Sequence, residues 1–279
     1  MKRKVKTKVK GFRTTEGAGV KLVRVLGNLT TKEFDPILML DSFDSINPDD
    51  YTAGFPMHPH RGIETISYVS RGKMVHRDSL GNEAGISDGE VQWMNSGSGI
   101  MHEEMVPAAE RLLGVQLWLN LPAKDKMSKP SYNSIKNEDI KEIEIEGGKI
   151  RLLAGKYGEH EGYKGDYLSM DYYDIHLNAD AEVTLTMEED DSVMVFTLLG
   201  DVYIDGEHIE EKTAVKLTEG DSLTIKNGNE KAQVLYMNSR ALNEPVAWAG
   251  PIVMNTQEEL QKAFLELRSN TFIKETAEY

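Results

Sequence analysis

Gly54-Phe55-Pro56-Met57-His58-Pro59-His60-Arg61-Gly62-Ile63-Glu64 is answered further along the chain by Gly99-Ile100-Met101-His102-Glu103-Glu104. Each stretch carries a two-apart pair of potential metal ligands, His58 with His60 and His102 with Glu104. Residues two apart on a β-strand project from the same face, so two such strands can aim three imidazoles and one carboxylate at one point. The 279-residue chain contains no cysteine, so a transition-metal centre here takes nitrogen and oxygen donors only. The pattern predicts a mononuclear metal site inside a β-barrel.

Either pair alone is a weak signal. The competing reading makes these histidines satisfied polar residues at a barrel mouth. It needs three of the seven histidines and a carboxylate to fall by chance at two matched spacings, each beside a glycine turn. His76 sits on a neighbouring strand, where it either orients a ligand or is a plain barrel residue. His160, His176 and His208 lie outside this unit and read as structural or surface groups. Trp93 and Trp118 alternate on strands and read as core or cavity wall.

Composition narrows the rest. A formal net charge of −14 argues against nucleic-acid or anionic-membrane binding, which needs clustered Lys and Arg. The basic start, MKRKVKTKVKGF, has no apolar core and is not a secretory signal. Its Val5, Thr7 and Val9 alternate with lysines as in an exposed strand, and edge lysines discourage edge-to-edge pairing. No run approaches the length of a membrane span. Together with the lack of cysteine, these features predict a soluble, cytoplasmic protein.

Outward from the ligand pairs, short strands alternate with Gly, Asn and Asp turns up to about Ala123. Pro122–Pro130, with its lysines, reads as a surface linker, and a second strand-rich unit begins near Lys149. Domains are expected over 1–130 and 131–279. Thr256-Gln257-Glu258-Glu259 is a capping-box pattern ahead of Leu260, Phe264 and Leu267, which predicts a C-terminal amphipathic helix. The two units read as copies of one plan, with Gly72 answering Gly200. Aligning Gly89 with Gly220 sets His102 on Gln233 and Glu104 on Leu235, so the second copy is expected to lack the ligands.

Several stretches carry a family resemblance: FPMHPHRGIETISYV (55–69), DGEVQWMNSGSGIMHEEM (88–105), QLWLNLP (116–122), GPIVMNT (250–256) and DPILMLDSF (35–43). The chain resembles the pirin family of the cupin superfamily along nearly its whole length. The resemblance implies an all-β fold of two tandem cupin barrels (double-stranded β-helix, jelly-roll) with a short C-terminal helix. It also implies one metal, usually iron, in the N-terminal barrel, with Mn, Co, Ni, Cu or Zn as other loads. Carried over residue by residue, the ligands are His58, His60, His102 and Glu104. The general cupin pattern would instead offer Glu64, which is expected to play a structural or supporting role.

Three imidazoles and a carboxylate leave two positions of an octahedral site open, as substrate or dioxygen binding requires. Bacterial pirins are similar to quercetin 2,3-dioxygenases, which open a flavonol ring with dioxygen. The resemblance therefore implies dioxygenase activity on a flavonol-like small molecule, with Glu104 as the catalytic proton acceptor. The alternative it implies is a non-catalytic, iron- and redox-responsive regulator acting on a protein partner. The two differ in whether metal-loaded protein consumes dioxygen with quercetin.

Overall fold

A computed structural model describes residues 1–275. Its strands form two compact units that are not simply the two halves of the chain. One gathers Arg13–Thr31, Ile37–Lys136 and the segment from Leu242 onward, and the other Met1–Phe12, Lys32–Pro36 and Asn137–Ala241. Strand pairing, not chain order, decides membership. The lysine-rich strand Val5–Lys10 is an edge strand, as its alternation predicts, and pairs with Thr213–Leu217.

Each unit is a jelly-roll built from a seven-stranded and a four-stranded sheet. In the N-terminal barrel the large sheet runs Ser131–Ile135, Glu90–Asn95, Ile63–Arg71, Leu112–Asn120, Ile37–Ser45, Val20–Leu26 and Phe12–Glu16. Its small sheet runs Phe55–His60, Ile100–Met105, Lys73–Asp78 and Glu83–Ser87. The C-terminal barrel repeats both orders, with Ala232–Ser239 in the place of Leu112–Asn120 and Ser222–Asn227 in that of Ile100–Met105. The cupin plan of two tandem barrels is thus realised in full. Among the described residues no helix is long and apolar enough to cross a membrane.

The registers correct the glycine-based alignment. Leu112–Asn120 has a one-residue irregularity against Ile63–Arg71, and Ala232–Ser239 has the matching one against Ser192–Leu199. Gln233 and Leu235 therefore sit on the counterpart of 112–120, not on that of the ligand strand. Matching Gly72 with Gly200 sets His76 on Ile204. Since His76 faces Glu104 and Ile204 faces Ile225, Glu104 corresponds to Ile225 and His102 to Leu223. Across the sheet, His58 and His60 correspond to Leu185 and Met187. All four side chains pack into or against the apolar core of the C-terminal barrel. The Gly89–Gly220 anchor misses the slip, because turn lengths differ between the copies while the ladder does not.

The C-terminal helix covers Gln257–Arg268, with Thr256 and Glu259 making both bonds of the capping box. Leu260 and Ala263 are buried and pack with Phe264, Leu267 and Phe272 against the strands Ala247–Ala249 and Ile252–Met254. This segment returns to the barrel that holds the histidines. The amide of Val253 donates to the carbonyl of Arg61, and a Cβ on Gly62 would lie 1.9 Å from the carbonyl oxygen of Val253. Gly62, at φ +79°, is therefore required twice over, by its backbone angle and by this contact.

Candidate metal centre

Antiparallel pairing of Phe55–His60 with Ile100–Met105 sets His102 opposite His58 and Ile100 opposite His60. One ring nitrogen from each of His58, His60 and His102 lies within 4.8 Å of the other two. His60 and His102 are almost completely buried, and His58 is half-buried. Each ring has its Nδ1 engaged. His58 Nδ1 meets the carbonyl of Pro56 at 2.8 Å, His60 Nδ1 that of Pro251 at 2.9 Å, and His102 Nδ1 meets His76 Nδ1 at 3.4 Å. A carbonyl can only accept, so His58 and His60 both donate from Nδ1, and the neutral form of each ring presents a bare Nε2 lone pair. Those two nitrogens face each other at 3.1 Å, and His102 Nε2 is buried with no hydrogen-bond partner. Opposed lone pairs and an orphaned buried nitrogen are costly by themselves, and a cation between them satisfies all three.

Burial pulls His60 down to about 3 and His102 well below its ordinary value, and the neighbouring imidazoles push the same way. Both rings are neutral at physiological pH, the state that binds a metal.

Behind His102 stands a second layer. His76 is fully buried, stacks on Tyr132 at 4.0 Å between ring centroids, and places Nε2 2.9 Å from Asp78 Oδ2. Asp78 also accepts from the amides of Leu80 and Asn82 and from the Asn82 side chain. With Nε2–H given to Asp78, His76 Nδ1 is left to accept from His102. The His76–Asp78 pair thus fixes the His102 ring with Nε2 toward the other two histidines.

Glu104 is buried on the same strand, but it does not join the three-histidine cluster. Gln92 donates from Nε2 to Glu104 Oε1, and Gln116 Nε2 donates to Oε2 at 2.8 Å. Ser67 Oγ lies 3.4 Å from Oε1. Glu64 is buried in the large sheet opposite Leu119 and Asn95, and it too stands outside the cluster.

His58 and His60 open onto a cavity of about 620 Å³ that is also lined by Phe55, Gln116, Trp118 and Trp248. Trp118 lies edge-on to His60 at 5.0 Å and Trp248 tilts against Trp118 at 5.5 Å. Arg24 closes another side, held to Asp41 by two hydrogen bonds of 2.9 and 2.8 Å. Pirin-family models match residues 19–119 and, as the Pirin C-terminal cupin domain, residues 172–273. This chain belongs to the pirin family. It is 38% identical over 268 residues to a pirin-like protein of Caulobacter vibrioides, covering 95% of this chain and 97% of that one. The crystal structure of a quercetin 2,3-dioxygenase from Acinetobacter baumannii superposes with a TM-score of 0.89 at 30% identity, covering 98% and 99% of the two chains. A bacterial pirin from Escherichia coli, solved in complex with nickel(II), shares the fold with a TM-score of 0.65 at 20% identity, covering 84% of this chain and 98% of that one.

Several supports of the pirin site were not read from the sequence. Gln92 and Gln116 are polar residues flanked on both sides by apolar ones within fully buried strands, and that placement was a usable signal. Pro251 contributes only a backbone carbonyl, which no residue type announces. The stretch 122–130 is not merely a surface linker. Lys126 in it is buried and donates to the carbonyl of Gly62 at 2.8 Å and to Asn120 Oδ1 at 2.5 Å, pinning the turn beside His60.

Proposed function

We propose that this chain is a quercetin 2,3-dioxygenase-type oxygenase that cleaves a flavonol at one iron held by His58, His60, His102 and Glu104. The observation that carries the reading is a cluster of three imidazoles, one with a buried unpartnered Nε2, two of which line an aromatic-walled cavity. When bound, the metal supplies Lewis acidity and access to redox chemistry with dioxygen.

The remaining tasks fall to the chain's own groups. Phe55, Trp118 and Trp248 offer flat apolar surface to a planar polycyclic substrate. The Arg24–Asp41 pair offers polar contacts to ring hydroxyls at the cavity edge. Glu104 takes the proton of the flavonol 3-hydroxyl, and Gln92 and Gln116 orient its carboxylate while leaving lone pairs for a ligand bond. In the overall conversion both atoms of dioxygen enter the cleaved ester product and one ring carbon leaves as carbon monoxide. The same reading assigns the protein to the cytoplasm.

The test is aerobic incubation of iron-loaded protein with quercetin, following dioxygen uptake and carbon monoxide release. Stoichiometric consumption supports the oxygenase. No consumption with Fe, Mn, Co, Ni or Cu loaded in turn removes quercetin as substrate and favours the regulatory alternative, in which the metal state governs a protein contact.

A further inference from the structure

The ladder that aligns the two barrels also aligns their mouths. Trp118 and Met39 pair across the large sheet of the N-terminal barrel and line the cavity over the histidines. Their counterparts in the C-terminal barrel are Asn238 and Asp171, which pair in the same way. One step deeper, Gln116 is matched by Tyr236, which stacks on Tyr173 at 5.0 Å and closes the filled apolar interior below. The metal chamber of the second barrel is plugged, yet its mouth remains as a recess of about 740 Å³.

The character of that recess is inverted. Its floor is a set of acceptors. Asn238, 7% exposed, gives its Nδ2 to Asp171 Oδ2 at 3.2 Å and Asp191 Oδ2 at 3.0 Å, while its Oδ1 is buried with no partner. Asp171 takes one further hydrogen bond, from the amide of Lys156 to Oδ1 at 2.9 Å. Burial, with Asp191 nearby, pushes the Asp171 carboxyl upward. A floor of two carboxylates and an orphaned carbonyl is matched by a compact donor of positive charge. The other lining charges are mostly of opposite sign to the floor: Lys156, Lys164 and Arg240 against Glu161. They disfavour a simple cation and suit a ligand that carries an anion at its other end.

We propose that the mouth of the C-terminal barrel binds a small amino-acid-type zwitterion, its ammonium group on Asn238, Asp171 and Asp191 and its carboxylate toward Lys164 and Arg240. This site is separate from the metal centre and independent of the oxygenase reading. It makes the second barrel a ligand-binding module rather than a structural remnant.

Glycine and L-serine serve as probes for calorimetric titration of the full chain, with ethylamine and acetate as half-ligands. At least one zwitterion should bind saturably, one per chain, and the half-ligands at least about tenfold more weakly, since each loses charged hydrogen bonds. Asn238→Leu should weaken binding by about tenfold or more. Because Asn238 is buried, the exposed pair Lys164→Glu and Arg240→Glu provides a second test that leaves the core untouched, with the same expected loss. Chelation of the metal should leave the titration unchanged. The proposal is overturned if neither zwitterion binds at millimolar concentration, if ethylamine or acetate binds as tightly, if binding survives both sets of substitutions, or if it disappears with the metal.

Discussion

The carbonyl oxygen of Pro251 accepts the Nδ1 proton of His60 at 2.9 Å, across 191 residues of sequence. A residue of the C-terminal segment thereby sets the tautomer of a histidine in the candidate metal centre. The segment is locked on by Arg61, which is buried, pairs with Glu266 at 2.8 Å, donates to the Phe272 carbonyl at 2.9 Å and stacks on the Phe272 ring.

Gly62→Ala tests that coupling. Its methyl group would strike the Val253 carbonyl and occupy a left-handed backbone position, forcing the segment off the barrel. Metal affinity, measured by competition with a chromogenic chelator, should fall by about 10–100-fold, the usual effect of losing an outer contact to a ligand. Unchanged affinity would show that the Pro251 contact does not support the site.

His76→Phe keeps an aromatic ring for Tyr132 to stack on but removes the acceptor for His102 Nδ1. The His102 tautomer is then no longer fixed, and metal affinity should again drop by about 10–100-fold. A purely structural His76 would lower thermal stability and leave the affinity of the folded protein unchanged.

Much of the site was legible because the ladder has a period of two. His58 with His60 and His102 with Glu104 are spaced for one face of a strand, and the three histidines do converge. The capping box at Thr256 was legible for a similar reason, since its signal is local. What escaped was non-local: the return of the C-terminal segment to the N-terminal barrel, the burial of Lys126, and the register of the second barrel. Hydrophobic alternation states which residues face inward but not which strand they face.

Metal-free protein should lose stability as pH falls. An unfolded histidine titrates near 6.5, whereas folded His60 is held down to about 3 and His102 well below its ordinary value, both chiefly by burial. Below about pH 6.5 the unfolded chain therefore binds protons that the folded chain refuses, so stability rises with pH. The His60 contribution is present in full above about pH 6.5, diminishes as pH falls, and is gone by about pH 3. Between about pH 7.5 and 5 the urea midpoint should fall by the equivalent of about 2 kcal/mol more in wild type than in His60→Asn. An equal fall in both would contradict the buried neutral assignment.

Elemental analysis should return one transition metal per chain. The positions matching the ligands in the second barrel are Leu185, Met187, Leu223 and Ile225, none of which offers a nitrogen or oxygen donor from its side chain. Two tightly held ions per chain would contradict this.

Glu104 bears the central claim, since it is assigned both a ligand bond and the substrate proton. Glu104→Gln preserves shape and one oxygen but removes the charge and most of the basicity. The decisive measurement is quercetin cleavage by wild type and Glu104→Gln, each shown to be fully metal-loaded. General-base assistance is worth about 10²–10⁴-fold, so the variant should be at least about a hundredfold slower. A variant as fast as wild type at full occupancy would contradict the role of Glu104, and a loaded wild type that leaves quercetin and dioxygen untouched would contradict the oxygenase itself.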